Sequence, residues 1–419
     1  MLKMLRFVYG PAFGRTIIYM LQSVEYRPAE YFKWLWRVED FHKVTYRKEL
    51  VPTRPAKLLL SAFRIGVLAE SAIAITLIVL GVTGPNYLEV VLGVVVLMFA
   101  PLVWATLVVL PLVLGNFFII KPLYGRKIRG SRRTFETHQA TKIAIAGSYG
   151  KTTMKEILLT VLGEGKKVAA TPANKNVSIS HALFAADLNG AEEILIIEYG
   201  EGAPGDVARF AKNTHPDMAV ITGLAPAHLD RYKTLESAGK DIFSVADYLG
   251  GKNVFVNGEA ASARKFIKKP YKVFTAEGIA DWKVDDVTIG LDGVSFSLIK
   301  GKSKLKINSR LLGKHQIGPL ALAAYLSRLF GLSDAQIKAG IAKIEPFEHR
   351  MRPYQLAGGW VIDDTYNGNI EGIKAGLELL VELPAKRKIY VTPGLVDQGE
   401  HSAEIHRQLG QYIAAARPD

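Results

Sequence analysis

The sequence predicts an α/β protein with a parallel sheet, preceded by transmembrane helices. Three observations predict it: a strand that ends in glycines and turns into a helix at 143–162, further apolar runs alternating with helical patterns to residue 222, and two long apolar stretches before residue 115. Ile143 to Thr153 reads Ile-Ala-Ile-Ala-Gly-Ser-Tyr-Gly-Lys-Thr-Thr, and the helical pattern Met154 to Leu162 follows at once. Such a corner delivers phosphate to a helix N-terminus, where free N–H groups and the dipole favour anions. Gly147, Ser148, Tyr149, Gly150, Lys151, Thr152 and Thr153 are the nucleotide-binding candidates. Lys151 would neutralise the β/γ-phosphates and the Thr152 hydroxyl would ligate Mg²⁺. The usual G-x-x-x-x-G-K-[ST] spacing would need glycine at Ile145; here it is Gly147.

Composition narrows the classes. The chain has 419 residues, enough for two or three domains, and no cysteine, so disulfides and thiolate chemistry are excluded. A mean hydropathy of +0.14 at this charge content implies that part of the chain lies in lipid. The net charge of +14 could suit nucleic acid, but its distribution along the chain points elsewhere.

Leu2 to Met20 is moderately apolar but broken by Arg6, Gly10, Pro11, Gly14 and Arg15; it reads either as a third, weaker span or as an in-plane helix. No small-residue cleavage site follows, which argues against a removed signal peptide. From Glu25 to Lys57, Tyr26, Tyr31, Phe32, Trp34, Trp36, Phe41 and Tyr46 are interleaved with Arg and Lys. A stacking surface for nucleic acid is one reading. The adjoining spans favour an interfacial belt at anionic lipid, with no nucleic-acid partner.

Ile65 to Val82 and Leu88 to Leu114, the second with Pro101 and Pro111, are each long enough to cross about 30 Å of hydrocarbon. Their connector Gly84-Pro85-Asn86-Tyr87 lacks Lys and Arg, whereas Lys121, Arg126, Lys127, Arg129, Arg132 and Arg133 crowd the far side. The positive-inside rule then places both ends of a hairpin in the cytoplasm and the protein in the cell membrane. Glu70, within the first span, suits a snorkelling or helix-paired carboxylate better than a proton relay.

Beyond Arg133, strands are expected at Ile143 to Ala146, Glu193 to Ile197 and Met218 to Thr222, with helices at Met154 to Leu162 and Val207 to Ala211. Ligands then collect at the carboxyl ends of the parallel strands. Glu198 ends the run Ile194-Leu195-Ile196-Ile197 and is a natural Mg²⁺ ligand there. His228, in Ala225-Pro226-Ala227-His228-Leu229-Asp230, follows the next strand at the same rim.

These residues resemble the Mur ligase family. Gly147 to Thr153 looks like its shortened phosphate loop, Thr171-Pro-Ala-Asn174-Lys-Asn176 its substrate-side segment, Ile197-Glu198-Tyr-Gly200 its metal-binding Glu-x-Gly, and Ala227-His228-Leu-Asp230 its metal-binding His. Leu311-Leu-Gly-Lys-His315-Gln316 is similar to the segment near the adenine. His349-Arg350 with Val361-Ile-Asp363-Asp364-Thr-Tyr366-Asn367-Gly-Asn369 is similar to the opening of the C-terminal domain. The Asp-Asp-x-Tyr-Asn-x-Asn motif is typical of the subgroup that adds D-alanyl-D-alanine.

The resemblance covers Thr141 to Gln411 and implies a mechanism: ATP phosphorylates a carboxylate, an amine attacks the acyl phosphate, and an amide forms. It implies ATP and two Mg²⁺ ions, with Lys151, His228, Lys240 and Arg350 as catalytic residues. It adds Gln316, Arg350, Asp364 and Asn367 to the nucleotide contacts and assigns Asn174 and Asn176 to substrate. Thr152 and Glu198 would hold the first metal, and His228 with a carbamylated lysine the second. Lys240 is the candidate, although it lies closer to His228 than the family pattern leads one to expect; a solvated helix lysine is the alternative.

There are departures from the family. Gln316 replaces the usual Asn, Ser180 a usual Gly, and membrane segments stand where the family has its uridine-nucleotide domain. Thr392-Pro-Gly-Leu-Val to Glu400-His401 still resembles the C-terminal domain, which stops at Asp419 as a partial one. The expected division is thus 1–57 interfacial, 58–115 transmembrane hairpin, 116–140 basic linker, 141–345 central ATP-binding domain and 346–419 partial C-terminal domain. The expected activity is a membrane-anchored, ATP-dependent amide ligase of peptidoglycan precursor synthesis, acting on a small-molecule or lipid-linked precursor beside other envelope enzymes. A noncatalytic ATP-binding scaffold and a P-loop ATPase are the alternatives.

Overall fold

The apolar stretches of the first 125 residues form helices, and the alternating pattern beyond forms a sheet. In the computed structural model, which describes residues 9–44, 50–173, 175–226, 229–366, 368–395 and 402–419, the chain divides into two compact units, Met1–Gly125 and Arg126–Asp419.

In the first unit, helices α1 (Pro11–Ser23) and α2 (Pro28–Arg37) precede the long α3 (Arg54–Thr83) and α4 (Tyr87–Leu107), followed by α5 (Leu110–Gly115) and α6 (Lys121–Thr137), which continues into the second unit. Proline in the first turn starts α1, α2 and α3, where a missing N–H costs nothing. The Thr53 hydroxyl caps α3 by accepting from the Ala56 N–H, and Gly84-Pro85 ends that helix. Asn86 caps α4 by accepting from the Leu88 N–H. Two helical segments, Arg54–Thr83 and Tyr87–Thr137, are long and apolar enough to cross a membrane. Of the Leu2 to Met20 stretch, residues 1–8 lie outside the described residues. The rest belongs to α1, whose Phe13, Ile17, Ile18 and Leu21 are buried in one cluster with Leu59, Phe63 and Ala105. The Tyr31 hydroxyl, also buried, donates to the Ala105 carbonyl at 2.7 Å.

The second unit is built on a ten-stranded sheet. In chain order come β1 (Thr141–Ala146), α7 (Lys151–Leu162), β2 (Val168–Ala170), α8 (Ser178–Asp187), β3 (Ile194–Glu198), α9 (Asp206–Thr214) and β4 (Met218–Ile221). There follow α10 (Leu229–Tyr232), α11 (Leu235–Tyr248), β5 (Val254–Asn257), β6 (Lys272–Thr275), β7 (Gly278–Ile279), β8 (Trp282–Gly290), β9 (Gly293–Lys300) and β10 (Ser303–Ser309). Helices α12 (Ile317–Leu329) and α13 (Asp334–Ala342), the ribbon β11 (Arg352–Leu356) and β12 (Gly359–Asp363), α14 (Ile370–Glu382) and α15 (Ser402–Ala416) complete the chain.

Strands β2, β3, β1, β4, β5 and β6 pair in parallel, and β6 to β10 continue the sheet antiparallel. The register aligns Ala144 with both Ile197 and Ala219, so β1, β3 and β4 end at one rim. Both faces of these central strands are covered, which is why they read as continuous apolar runs rather than alternating ones. Ile143 and Ile145 pack on one side with Ile157, Leu158 and Val161 of α7. Ala144 and Ala146 pack on the other with Phe210 of α9 and Ile242 of α11.

Candidate functional site

The tip of β1 passes into α7 through Gly147 to Gly150. Gly147 has φ of +143°, and a Cβ there would lie 2.3 Å from Thr222 Oγ1, so only glycine lets the loop turn against the end of β4. The loop is tied down by the Ser148 N–H donating to the Gly223 carbonyl at 3.0 Å and by the Thr222 hydroxyl donating to the Tyr149 carbonyl. Its amides and Lys151 therefore meet the N-terminus of α7 in a fixed arrangement suited to phosphate.

A cavity of about 770 Å³ opens at this corner. Ser148 to Thr153 line it, as do Asn176, Glu198, Gln316, Arg350 and Asp364, so the structure brings most of the sequence-predicted residues to one place. Gly147 starts the loop behind them. Thr152 Oγ1 donates to Glu198 Oε1 at 3.2 Å, and the Asn176 amide donates to the same oxygen at 3.2 Å. Glu198 Oε2 is buried and accepts no hydrogen bond. A buried carboxylate oxygen left over beside a threonine hydroxyl is a donor set that fits Mg²⁺.

Three side chains that sequence reasoning missed hold this arrangement. Lys155, one turn into α7, is fully buried; its ammonium donates to the carbonyls of Thr171 (2.9 Å) and Ala173 and lies 3.7 Å from Glu198 Oε2. It thereby joins the helix, the 171–176 loop and the strand-tip carboxylate. The His181 Nε2 bonds the Glu198 carbonyl at 2.8 Å, and burial lowers this ring to about 4, so it is neutral at physiological pH and donates. Glu201 places Oε2 2.6 Å from the Lys151 ammonium, both side chains nearly buried. A lysine inside an amphipathic helix and an acid in a loop carry no local signal of such long-range pairing.

The opposite wall comes from the C-terminal segments. The Arg350 guanidinium lies 4.4 Å over the Tyr366 ring, and the Asp364 carboxyl is pushed upward by burial. Gln316 donates its amide to the His315 ring nitrogen at 2.7 Å; desolvation lowers that imidazole to about 4, which leaves it free to accept. Asn369 caps α14 by accepting from the Gly372 N–H, which turns Glu371 and Lys374 of that helix toward the cavity.

Asn174, His228 and Asn367 lie outside the described residues, and among the described residues no group of three His, Asp or Glu forms a metal cluster. Lys240 departs from its expected position. Its side chain is 71% exposed, pairs with Glu236 at 2.9 Å and does not line the cavity. The physical reason is helical phase: α11 turns Ala238, Gly239, Asp241, Ile242 and Phe243 inward and leaves positions 236 and 240 together on the outer face.

Comparison with known proteins agrees with this architecture. Residues 145–327 match the Mur ligase middle domain. The UDP-N-acetylmuramoyl-tripeptide–D-alanyl-D-alanine ligase of Escherichia coli K12 is 27% identical over 290 residues, covering 67% of this chain and 63% of that protein. The Bacillus subtilis enzyme of the same name is 24% identical over 280 residues, covering 66% and 61%. This chain therefore spans less than two thirds of the length of the curated relatives it matches. Among solved structures, MurF from Acinetobacter baumannii superposes with a TM-score of 0.62 at 20% identity, covering 70% of this chain and 65% of that one. MurF from Thermotoga maritima, solved in complex with ADP, superposes with a TM-score of 0.62 at 24% identity, covering 69% and 68%. Residues 145–327 thus match a Mur ligase middle domain, and the fold around them is similar to that of the MurF structures.

Proposed function

We propose that this chain is a membrane-anchored, ATP-dependent ligase that joins a carboxylate to an amine in the synthesis of a cell-envelope precursor, through an acyl phosphate. The observation that carries the proposal is one cavity with Lys151 and the Thr152–Glu198 pair at its head and Arg350 and Asp364 on its far wall. Phosphoryl transfer to a carboxylate asks for positioning and charge neutralisation more than for a protein nucleophile. The loop amides and Lys151 bind and neutralise the β- and γ-phosphates, Arg350 faces the transferred phosphoryl group, and Gln316 offers its amide to the base. Acidic side chains outnumber lysine and arginine along the wall, so a polyanionic nucleotide needs divalent cation there. Thr152 and Glu198 would hold Mg²⁺, which when bound offsets charge developing on the phosphate oxygens.

Residues 346–419 act as a C-terminal domain, closing the cavity through Arg350, Asp364 and α14. Asn176, which lines the cavity, is assigned with Asn174 to the carboxylate substrate. The curated relatives are named for joining D-alanyl-D-alanine to a UDP-muramoyl-tripeptide, so that pair is the first to test. Membrane insertion as a hairpin, with both ends cytoplasmic, keeps this cavity on the side where ATP is found. A lipid-linked precursor is a second candidate substrate.

The test is phosphate release by the purified full chain with acid alone, amine alone and both. A ligase requires both; release without either identifies an ATPase, and no release under any condition identifies a scaffold. Lys151→Ala should reduce the coupled rate by at least about 10²-fold, because a charge placed at the γ-phosphate is lost without loss of core packing. Turnover of a folded Lys151→Ala protein at the parent rate would remove the site assignment.

A further inference from the structure

The cation of the phosphate loop is already neutralised. Lys151 donates to Glu201 Oε2 at 2.6 Å, the two side chains 11% and 5% exposed, and both line the cavity. A nucleotide that needs Lys151 must take it from a buried carboxylate. The backbone around Glu201 cannot carry that change. The Gly200 N–H is bonded to the Asn176 carbonyl at 2.8 Å, and the Gly205 N–H to Asp241 Oδ1 at 2.9 Å. Asp241 is fixed in turn by the Tyr232 hydroxyl at 2.7 Å. Displacement is therefore a rotation of the Glu201 side chain alone, and the freed carboxylate stays in the cavity that the phosphates enter and that Glu198 also lines.

We infer that Glu201 is a resident counter-ion of Lys151 that makes nucleotide binding conditional on a divalent cation. Metal-free nucleotide would release an anion next to its own phosphates and bind poorly. Nucleotide carrying Mg²⁺ brings the positive charge that replaces Lys151 as the partner of Glu201. The exchange is one cation for another at a buried carboxylate, and it costs little only when the second cation arrives with the ligand. This inference rests on the nucleotide-binding role proposed for the loop and adds a residue and a condition to it.

The test is calorimetric titration of the full chain in detergent with ATP, once in EDTA and once in excess Mg²⁺, for the parent, Glu201→Gln and Glu201→Ala. Glu201→Gln keeps the shape and removes the charge; Glu201→Ala serves if the amide disturbs folding, and thermal melts confirm that each variant is folded. In EDTA both variants should bind ATP about tenfold or more tighter than the parent, a usual size for coupling between two ligands. In Mg²⁺ they should differ from the parent by less than about threefold, so the advantage that the cation confers collapses. Equal affinities of parent and variants in EDTA would overturn the inference, as would a loss of affinity in both conditions. If the parent itself binds no nucleotide with or without Mg²⁺, the role of the loop falls as well. Binding by the parent with no tightening in the variants removes the Glu201 assignment alone.

Discussion

The long helix pair of the first unit and the sheet of the second place opposite residues on the inside. In residues 65–105 the small side chains are buried, Gly66, Ala74, Gly81, Gly93 and Ala100 among them, while Ile65, Leu68, Ile73 and Val82 are more than half exposed. In residues 126–419 the large aliphatic and aromatic side chains are buried, and the fully covered Lys155 sits beside a cavity. Each pattern is one that a particular solvent favours. Between helices in lipid there is no hydrophobic gain from burying leucine, so close backbone approach through small residues holds them together. In water, burial of apolar area supplies the stability, and a charge is buried only where other groups satisfy it. The comparison supports the proposed membrane anchor more directly than helix length does.

The largest effect should come from filling a small-residue contact in the first unit. A Cβ on Gly93 would lie 2.6 Å from the Ala74 carbonyl oxygen, a backbone atom that cannot step aside. Gly93→Leu should cost roughly 3 kcal/mol or more in a detergent unfolding titration, at the upper end of overpacking penalties. Leu68→Ala, on the exposed face, should cost less than about 0.5 kcal/mol. Equal costs at the two positions would break the comparison.

A smaller effect concerns a ring in the second unit. Burial holds His181 neutral in the folded protein, its value lowered from 6.5 to about 4. Between those values the unfolded chain binds the extra proton, so stability is complete above pH 6.5 and falls as pH drops toward 4. By pH 5 the loss should be on the order of 1–2 kcal/mol. His181→Gln, which can still donate to the Glu198 carbonyl, should reduce the acid slope of thermal melts by about one proton. An unchanged slope would mean that the ring is not held neutral.

The smallest effect is expected at Lys240. Its pairing with Glu236 is an exposed i, i+4 contact, so Lys240→Ala should change stability by about 0.5 kcal/mol or less. Phosphate release should continue near the parent rate. If it fell to background and short carboxylic acids partly restored it, a carbamylated Lys240 would be a metal ligand after all.

The second unit was more legible in the sequence than its site was. The strand expected at Ile143 to Ala146 is Thr141–Ala146, that at Glu193 to Ile197 is Ile194–Glu198, and that at Met218 to Thr222 is Met218–Ile221. Buried parallel strands announce themselves as apolar runs bounded by glycine or acid. The antiparallel strands β7 to β10 were not read, although Val294, Phe296 and Leu298 alternate with polar residues, because strand preference depends on packing against partner strands more than on the segment itself. The phosphate loop was legible because its chemistry is local. Glu201 and Lys155 were not, because each meets its partner across tens of residues, at Lys151, Thr171 and Glu198. Lys240 shows the converse limit: spacing along a chain does not say which face of a helix a residue occupies.

The central claim is that the β1–α7 corner binds nucleotide, and Gly147 offers the most direct test. A methyl group there would press into Thr222 Oγ1 at a φ of +143° and open the loop without removing any charge. Calorimetric titration of the full chain with Mg·ATP should give one site per chain, and Gly147→Ala, folded by thermal melt, should weaken it by at least about 10²-fold, the cost of misplacing a fixed anion cradle. Binding by a folded Gly147→Ala protein at the parent affinity would contradict the account.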